Sequence, residues 1–208
     1  KQIINFEPKY LIALERNEQN LYNLIEELKE KNINKNIFKP VLGDVLDFNL
    51  LREIFYKNNI DIVFHAAAYK HVPIVEKNPI QGLYNNILTT KNLCLISKET
   101  EVKKLILISS DKAVRPTNIM GASKLVSEYI IRQLALEDKK TIYSLVRFGN
   151  VLNSSGSVVP LFKKQIQKGG PITLTHPDVV RYFMTITEAV ELVLHSSMMA
   201  KSGEIFIL

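Results

Sequence analysis

The stretch LILISSDKAVRPTNIMGASKLVSEYIIRQLAL, Leu105 to Leu136, is followed after five residues by IYSLVRF, Ile142 to Phe148. Leu105-Ile106-Leu107-Ile108 is a continuous apolar run that stops at Ser109-Ser110, the pattern of a strand buried on both faces in a parallel sheet. From about Met120 the apolar residues take up helical spacing, and at Ile142 they return to a continuous run. Strand, helix and strand in that order form a βαβ unit. The alternation extends outward both ways. Toward the amino end, residues 10–14, 37–42 and 60–65 read as strands. The intervening helices are marked by Leu21, Leu24, Ile25 and Leu28, by 50–58 and by 79–98, and residues 1–6 resemble the tail of a further helix. Toward the carboxyl end the rhythm loosens at Gly156-Ser157, Gly169-Gly170-Pro171 and His176-Pro177, with helices expected at 159–167 and 188–197 and a strand at 205–207. The expected fold class is α/β, a doubly wound parallel sheet.

Composition narrows the classes of function. A chain of 208 residues and 23.7 kDa is expected to bury about 70% of an unfolded surface of ~34,000 Å², leaving ~10,000 Å² accessible. With 46% hydrophobic and 23% charged residues it is neither collagenous nor disordered. No run approaches the roughly 20 apolar residues that span a bilayer, and Lys1-Gln2-Ile3-Ile4-Asn5-Phe6 has no signal-peptide core. The single cysteine, Cys94, excludes an internal disulfide and a multi-cysteine metal site, and fits a reducing compartment. A cytoplasmic location is expected, with membrane contact only through segments outside this sequence. The net charge of +6 is spread as single lysines and pairs such as Lys103-Lys104 and Lys139-Lys140, with no basic run interleaved with aromatics. A nucleic-acid partner is therefore not expected.

In a doubly wound sheet, ligands lie beyond the carboxyl ends of the strands. Glu15 closes the first strand, where a carboxylate accepts ribose hydroxyls and repels a 2'-phosphate, although Arg16 beside it is able to welcome one. Asp44-Val45 follows the second strand and offers adenine an acceptor with a backbone donor, while Asp47 is the better cap for the next helix. Ala66-Ala67-Ala68 follows the third, where small residues let backbone approach a flat ligand. One expected part is missing: no GxGxxG or GxxGxxG occurs. Because the strand-end residues favour a dinucleotide site, a sequence that begins after that turn is expected, without its first strand.

The strongest constellation runs from Ser109 to Lys124. Ser110, Asp111 and Lys112 leave the strand at its carboxyl edge, and Met120 and Lys124 lie one helical turn apart on the next helix. Short-chain dehydrogenases place a Ser or Thr at such a strand end and Tyr-x-x-x-Lys on that helix. Met120 stands where the Tyr belongs, and a thioether accepts no proton near neutral pH.

His65-Ala-Ala-Ala-Tyr-Lys-His-Val-Pro73, the Ser110-Asp111-Lys112 and Met120-Gly-Ala-Ser-Lys124 segments, Arg147-Phe-Gly-Asn-Val-Leu152 and Arg181-Tyr-Phe-Met-Thr185 resemble the CapD-like polysaccharide-biosynthesis family. Those proteins are UDP-N-acetylglucosamine 4,6-dehydratases among the extended short-chain dehydrogenase/reductases. The Met variant resembles the branch that retains configuration at carbon 5, many long members of which carry amino-terminal membrane helices. The resemblance implies a Rossmann fold and NAD as cofactor. It also implies a reaction in which hydride leaves carbon 4 of the sugar for NAD, water is eliminated across carbons 5 and 6, and hydride returns to carbon 6. Residues 1–150 are then the NAD-binding domain, with Glu15, Arg16, Asp44, Val45, Ala66, Ala67, Ala68 and Lys124 on the cofactor. Residues 151–208 are part of the nucleotide-sugar region.

Related dehydratases carry Asp-Glu where this chain has Asp111-Lys112. Asp111 is assigned as the acid, requiring a raised pKa, and Lys112 as the base, requiring a lowered one. With Met120 unable to accept a proton, that of the carbon 4 hydroxyl is expected to pass through Ser110 or a water to Lys124 or Asp111. Lys70, His71, Asn150, Ser157, Val158 and Arg181 are expected on the UDP-sugar, Arg181 through its fork of donors to the diphosphate. No metal site is expected. Self-association is expected through the helices at 79–98 and 120–136. Two other readings stay open: an epimerase or simple dehydrogenase of the same fold, and a non-catalytic nucleotide-binding module that lost its Tyr.

Overall fold

The computed structural model describes residues 1–31, 37–152, 154, 158–174, 176–178 and 180–208. After a short 3-10 helix, Gln2–Phe6, the chain runs β1 (Leu11–Glu15), α1 (Glu18–Glu30), β2 (Phe38–Leu42), α2 (Phe48–Asn58), β3 (Ile62–His65), α3 (Val72–Lys77) and α4 (Pro79–Glu99). It continues with β4 (Lys104–Ser110), a 3-10 turn at Asp111–Ala113, α5 (Ile119–Glu137), β5 (Ile142–Phe148), β6 (Asn150–Val151), α6 (Val158–Gln167), β7 (Phe183–Met184), α7 (Ile186–Met199) and β8 (Ile205–Ile207). Helix starts follow local chemistry. Asn17, Asp47 and Asn118 each accept a backbone N–H of the following first turn, and Thr185 forms a reciprocal box with Glu188. The helix that apolar spacing did not indicate is α3, six residues with Pro73 in its first turn.

All strand pairs are parallel. β4 pairs with β5 from Lys104↔Ile142 to Ser110↔Phe148, flanked by β3 and β8 in the order β3-β4-β5-β8. Alternation along β4 sends Leu105 and Leu107 into a core shared with α2, α4 and α5, and Ile106 into the opposite core with Val146, Val193 and Ala200. Both faces are therefore covered, as a doubly wound sheet requires. β1 and β2 form a separate parallel pair that joins the first core through Ile12, Leu14 and Val41. No ladder joins β1 to β3 among the described residues, the gap expected of such a sheet without its first strand. Residues beyond 150 contribute the short β6–β7 pair and also return α7 and β8 to the main sheet.

The accessible surface is 13,047 Å², above the ~10,000 Å² expected of a compact chain of this mass. Apolar side chains such as Leu174, Val180, Tyr182 and Ile186 remain open and account for part of the excess. Among the described residues no helix is long and apolar enough to cross a membrane.

One glycine is required by a close approach. A Cβ on Gly121 would lie 2.2 Å from the Lys112 carbonyl oxygen and 3.1 Å from Pro116 Cβ, so α5 starts directly against the turn that carries Asp111 and Lys112. Gly121→Ala is expected to lower stability by about 1–3 kcal/mol, as overpacking does, seen as a lower denaturation midpoint. An unchanged midpoint would show that the turn yields freely.

Candidate functional site at the carboxyl ends of the strands

The ends of β1, β2 and β3 bring seven expected cofactor residues together. Glu15, Arg16, Asp44, Val45, Ala66, Ala67 and Ala68 all line one cavity of about 340 Å³, with Asn85 and Thr89 of α4 behind them. Glu15 Oε1 accepts from the Asn17 N–H at 2.8 Å, and Asp44 Oδ1 accepts from Leu46 N–H at 2.9 Å, so each carboxylate is held by its own loop. Arg16 is not a free neighbour: its guanidinium donates to Asn85 Oδ1 at 3.0 Å, lies 3.5 Å from Asp44 and stacks 4.5 Å from the Tyr69 ring centroid. The cavity has small walls and oriented acceptors, which fits the adenosine half of a dinucleotide. A second cavity of about 630 Å³ is lined by Ala66, Ala68, Tyr69, Lys70 and His71 together with Ile74 and Gln81. Lys70 and His71 thus share a cleft with the edge of the first cavity.

Behind both cavities runs a buried polar network that apolar spacing could not announce. Asn86 of α4 accepts from Tyr69 N–H at 2.7 Å and donates to Tyr69 O at 3.0 Å and Ser123 Oγ at 2.9 Å. Ser123 in turn donates to Met120 O, and Ser127 to Asn86 O. These bonds lock the loop after β3 to the first turns of α5. The available signal was the stripe Asn85, Asn86, Thr89 and Thr90, four polar residues at helical spacing on one face. His65 belongs to the same network. Thr90 Oγ1 donates to Asn86 O, so its oxygen must accept from His65 Nε2 at 2.9 Å, and Nδ1 is left without a partner. Burial, with the nearby Lys124 charge, pushes the His65 pKa down to about 3, which keeps the ring neutral.

At the end of β4 the structure joins Ser110, Asp111 and Lys112. Asp111 Oδ1 accepts from Ser110 Oγ at 2.8 Å and from Lys112 Nζ at 2.9 Å. Burial alone would raise the Asp111 carboxyl, but the Lys112 and Ser110 hydrogen bonds outweigh it and hold the pKa below the ordinary value. This corrects the expectation of a raised pKa for Asp111: the carboxylate is favoured because Lys112 and Ser110 both close on it. Met120 is buried at 3% exposure on α5, and Lys124, one turn on, donates from Nζ to Ile108 O at 2.6 Å. Burial lowers the Lys124 pKa to about 8, with Glu128 acting in the opposite direction.

The expected sugar-binding residues are less gathered. Gly149 carries the chain past Asp111, its Cβ direction 4.0 Å from Asp111 Oδ2 and 3.9 Å from Tyr182 O, so β6 and the start of β7 meet beside the Asp111–Lys112 pair. Asn150 lies in β6 opposite Phe183. Arg181 is exposed and bonds Val180 O at 2.9 Å, with no hydrogen bond to Asn150 or Asp111 among the described residues. Val158 opens α6 and is exposed, while Ser157 lies outside the described residues.

Parallel strands wound on both faces, with polar cavities across their carboxyl ends, define a Rossmann-like α/β chain. The chain belongs to the polysaccharide biosynthesis protein family, which it matches over residues 1–208. It is 47% identical over 208 residues, 100% of this chain and 35% of the relative, to the capsular polysaccharide biosynthesis protein CapD of Staphylococcus aureus. It is 36% identical over 171 residues, 81% of this chain and 50% of the relative, to a UDP-glucose 4-epimerase of Rickettsia canadensis. The chain thus spans between 35% and 50% of the length of these two relatives. Pen from Bacillus thuringiensis, a solved structure, matches with TM-score 0.93 and 36% identity over 100% of this chain and 65% of its own. The dTDP-glucose 4,6-dehydratase of Bacillus anthracis, solved in complex with NAD, shares the fold at TM-score 0.83 and 15% identity over 100% of this chain and 69% of its own.

The neutral, buried His65 makes stability depend on pH. Its folded pKa of about 3 lies below the ordinary 6.5, so the unfolded chain binds the extra proton and stability falls as pH drops below about 6.5. In His65→Gln, whose amide retains a donor for Thr90, the fall between about pH 6.5 and 5 is expected to be shallower in denaturation midpoints. Equal slopes in the two proteins would mean that the ring protonates readily in place.

Proposed function

We propose that this chain forms the catalytic core of an NAD-dependent nucleotide-sugar 4,6-dehydratase, acting on UDP-N-acetylglucosamine with retention at carbon 5. The observation that carries the reading is the Ser110–Asp111–Lys112 cluster at the end of β4, an acid–base pair already hydrogen-bonded and open to a ligand. Elimination of water across two carbons needs a base for the carbon-bound proton and an acid for the leaving hydroxyl. An epimerase or simple dehydrogenase needs no such pair, and a module without activity has no use for one.

The cofactor's place is the cavity at the first three strand ends. Glu15 and Asp44 offer carboxylate acceptors to the adenosine, and the alanines let its flat ring approach the backbone. Arg16 is held by Asn85, Asp44 and Tyr69, so it is not available to a 2'-phosphate, which favours NAD over NADP. When bound, NAD supplies a reversible hydride acceptor. In this reading Lys124, with a pKa of about 8, exchanges the proton of the carbon 4 hydroxyl, directly or through Ser110, the task that Met120 cannot perform.

Asp111 and Lys112 rest charged and half exposed. A substrate that covers them removes water and favours the neutral pair, reached by one proton moving along the existing 2.9 Å bond from Lys112 Nζ to Asp111 Oδ1. Asp111 is then the acid for the carbon 6 hydroxyl and Lys112 the base for carbon 5. Lys70 and His71 in the neighbouring cleft, Asn150 and Val158, and Arg181 are proposed to hold the sugar, uracil and diphosphate, with the loop around Ser157. Self-association through α4 and α5 is supported by the open apolar side chains Ile80, Tyr84, Leu95, Tyr129 and Leu136 on those helices.

Incubation of the full-length protein with UDP-N-acetylglucosamine is expected to yield a 4-keto-6-deoxy product, whereas a 4-epimer would establish the epimerase reading. Asp111→Asn and Lys112→Ala are each expected to lower turnover by ~10²-fold or more while nucleotide affinity stays close to that of the unaltered protein. Normal turnover in either variant removes that residue from the mechanism. Met120→Leu, similar in volume and equally unable to transfer a proton, is expected to remain within about tenfold of the unaltered rate. Loss of turnover in a folded Met120→Leu protein would assign the thioether a role of its own.

A further inference from the structure

A buried cluster behind the acid–base pair has no part in the roles given above. Glu128 lies on α5 one turn beyond Lys124 and is only 1% exposed. Its Oε1 accepts from Ser109 Oγ at 2.5 Å and Arg147 Nε at 3.0 Å, and its Oε2 from Arg147 Nη2 at 2.5 Å. Ser109 and Arg147 are register partners across the β4–β5 ladder. One carboxylate from the helix is therefore gripped by two strands at the level where both approach their ends.

The neighbours of Ser109 explain what this grip controls. Ile108 O accepts from Lys124 Nζ, Ser109 Oγ donates to Glu128, and Ser110 Oγ donates to Asp111. Three consecutive residues of β4 thus take the three groups Lys124, Glu128 and Asp111 in turn. A buried ion pair is weak evidence for stability as such, since well-packed apolar residues often serve as well. Its position here, between the lysine and the strand that holds that lysine, has another consequence.

We propose that Glu128 is a positioning residue for Lys124, fixing the end of β4 against α5 and setting a buried carboxylate one helical turn from the ammonium that the same strand end holds. The proposal rests on the dehydratase reading for its consequence in catalysis, but not for its effect on Lys124 itself. His65 from β3 is neutral, Asp111 and Lys112 beyond β4 are paired with each other, and Arg147 from β5 is taken up by Glu128. Glu128 is the carboxylate that opposes the effect of burial on Lys124.

The test uses the full-length protein with lysine labelled at 13Cε, the Lys124 resonance being assigned by its loss in Lys124→Met. In Glu128→Gln the titration midpoint of Lys124 is expected at lower pH than in the unaltered protein. Turnover is expected to fall about tenfold or more, with the pH–rate limb moving alongside the midpoint and KM little changed. Ser109→Ala, which removes one hydrogen bond and keeps the carboxylate, is expected to leave the midpoint in place. Should Glu128→Gln fail to fold because Arg147 is left buried and unpaired, Arg147→Gln, which leaves the Glu128 carboxylate without its guanidinium, is read instead and is expected to move the Lys124 midpoint to higher pH. An unmoved Lys124 midpoint in either folded variant overturns the proposal. A midpoint that moves in a protein whose unaltered form makes no 4-keto product supports the positioning role and rejects the dehydratase reading.

Discussion

The parallel ladder between β4 and β5, and the packing of α5 across it, set the position of the groups gathered at the end of β4. Leu105, Leu107, Tyr143 and Leu145 bury one side of the ladder, while Ile106 and Val146 bury the other. With neither face free to slide, the strand ends are fixed in height. Residues 108 to 111 then occur at the one place where the sheet stops and polar groups can be met. Gly121 lets the first turn of α5 touch the Lys112 carbonyl, so Met120 and Lys124 are placed by the same contact that shapes the Asp111–Lys112 turn.

The site is also a balance of buried charge. His65, Lys124 and Glu128 are all nearly inaccessible, and Arg147 is largely covered. Water cannot stabilise their ions, so each takes its state from its neighbours. His65 remains neutral, Glu128 is satisfied by Arg147 and Ser109, and Lys124 is left with a backbone carbonyl and a pKa of about 8. In the proposed dehydratase reading, Lys124 and the Asp111–Lys112 pair supply proton positions in place of the tyrosine where Met120 stands. The polar bridge from Arg16 through Asn85 and Asn86 to Ser123 ties the cavity at β1 and β2 to the same helix. The proposed cofactor end and the proposed reacting end are thereby held by one α4–α5 unit.

Much of this was legible in the residues. The apolar run of β4, the helical spacing after Met120 and the run of β5 gave those elements to within a residue or two at each end, and Asp47 was recognisable as a cap because a short acceptor preceded an apolar helical pattern. Glu15, Asp44 and the three alanines line one cavity because each ends or follows a strand, and strand ends in this architecture face a shared cleft. Arg181 was equally visible in the sequence, yet its side chain turns back to its own backbone, since nothing in sequence spacing fixes the direction of an exposed loop arginine.

The sequence by itself determined the order of strands and helices, the polar residues at the strand ends and the substitution of Met for Tyr at position 120. These are properties of local pattern, and side-chain periodicity reports them directly. Only the tertiary structure decided which polar groups are paired. Glu128 meets Arg147 and Ser109 from three separate elements, Arg16 is held by the loop after β2, α4 and the loop after β3, and Asp111 is a carboxylate because Lys112 and Ser110 close on it. Ionisation depends on distance and burial in space, and residues far apart in the chain become neighbours only when the two faces of the sheet are packed.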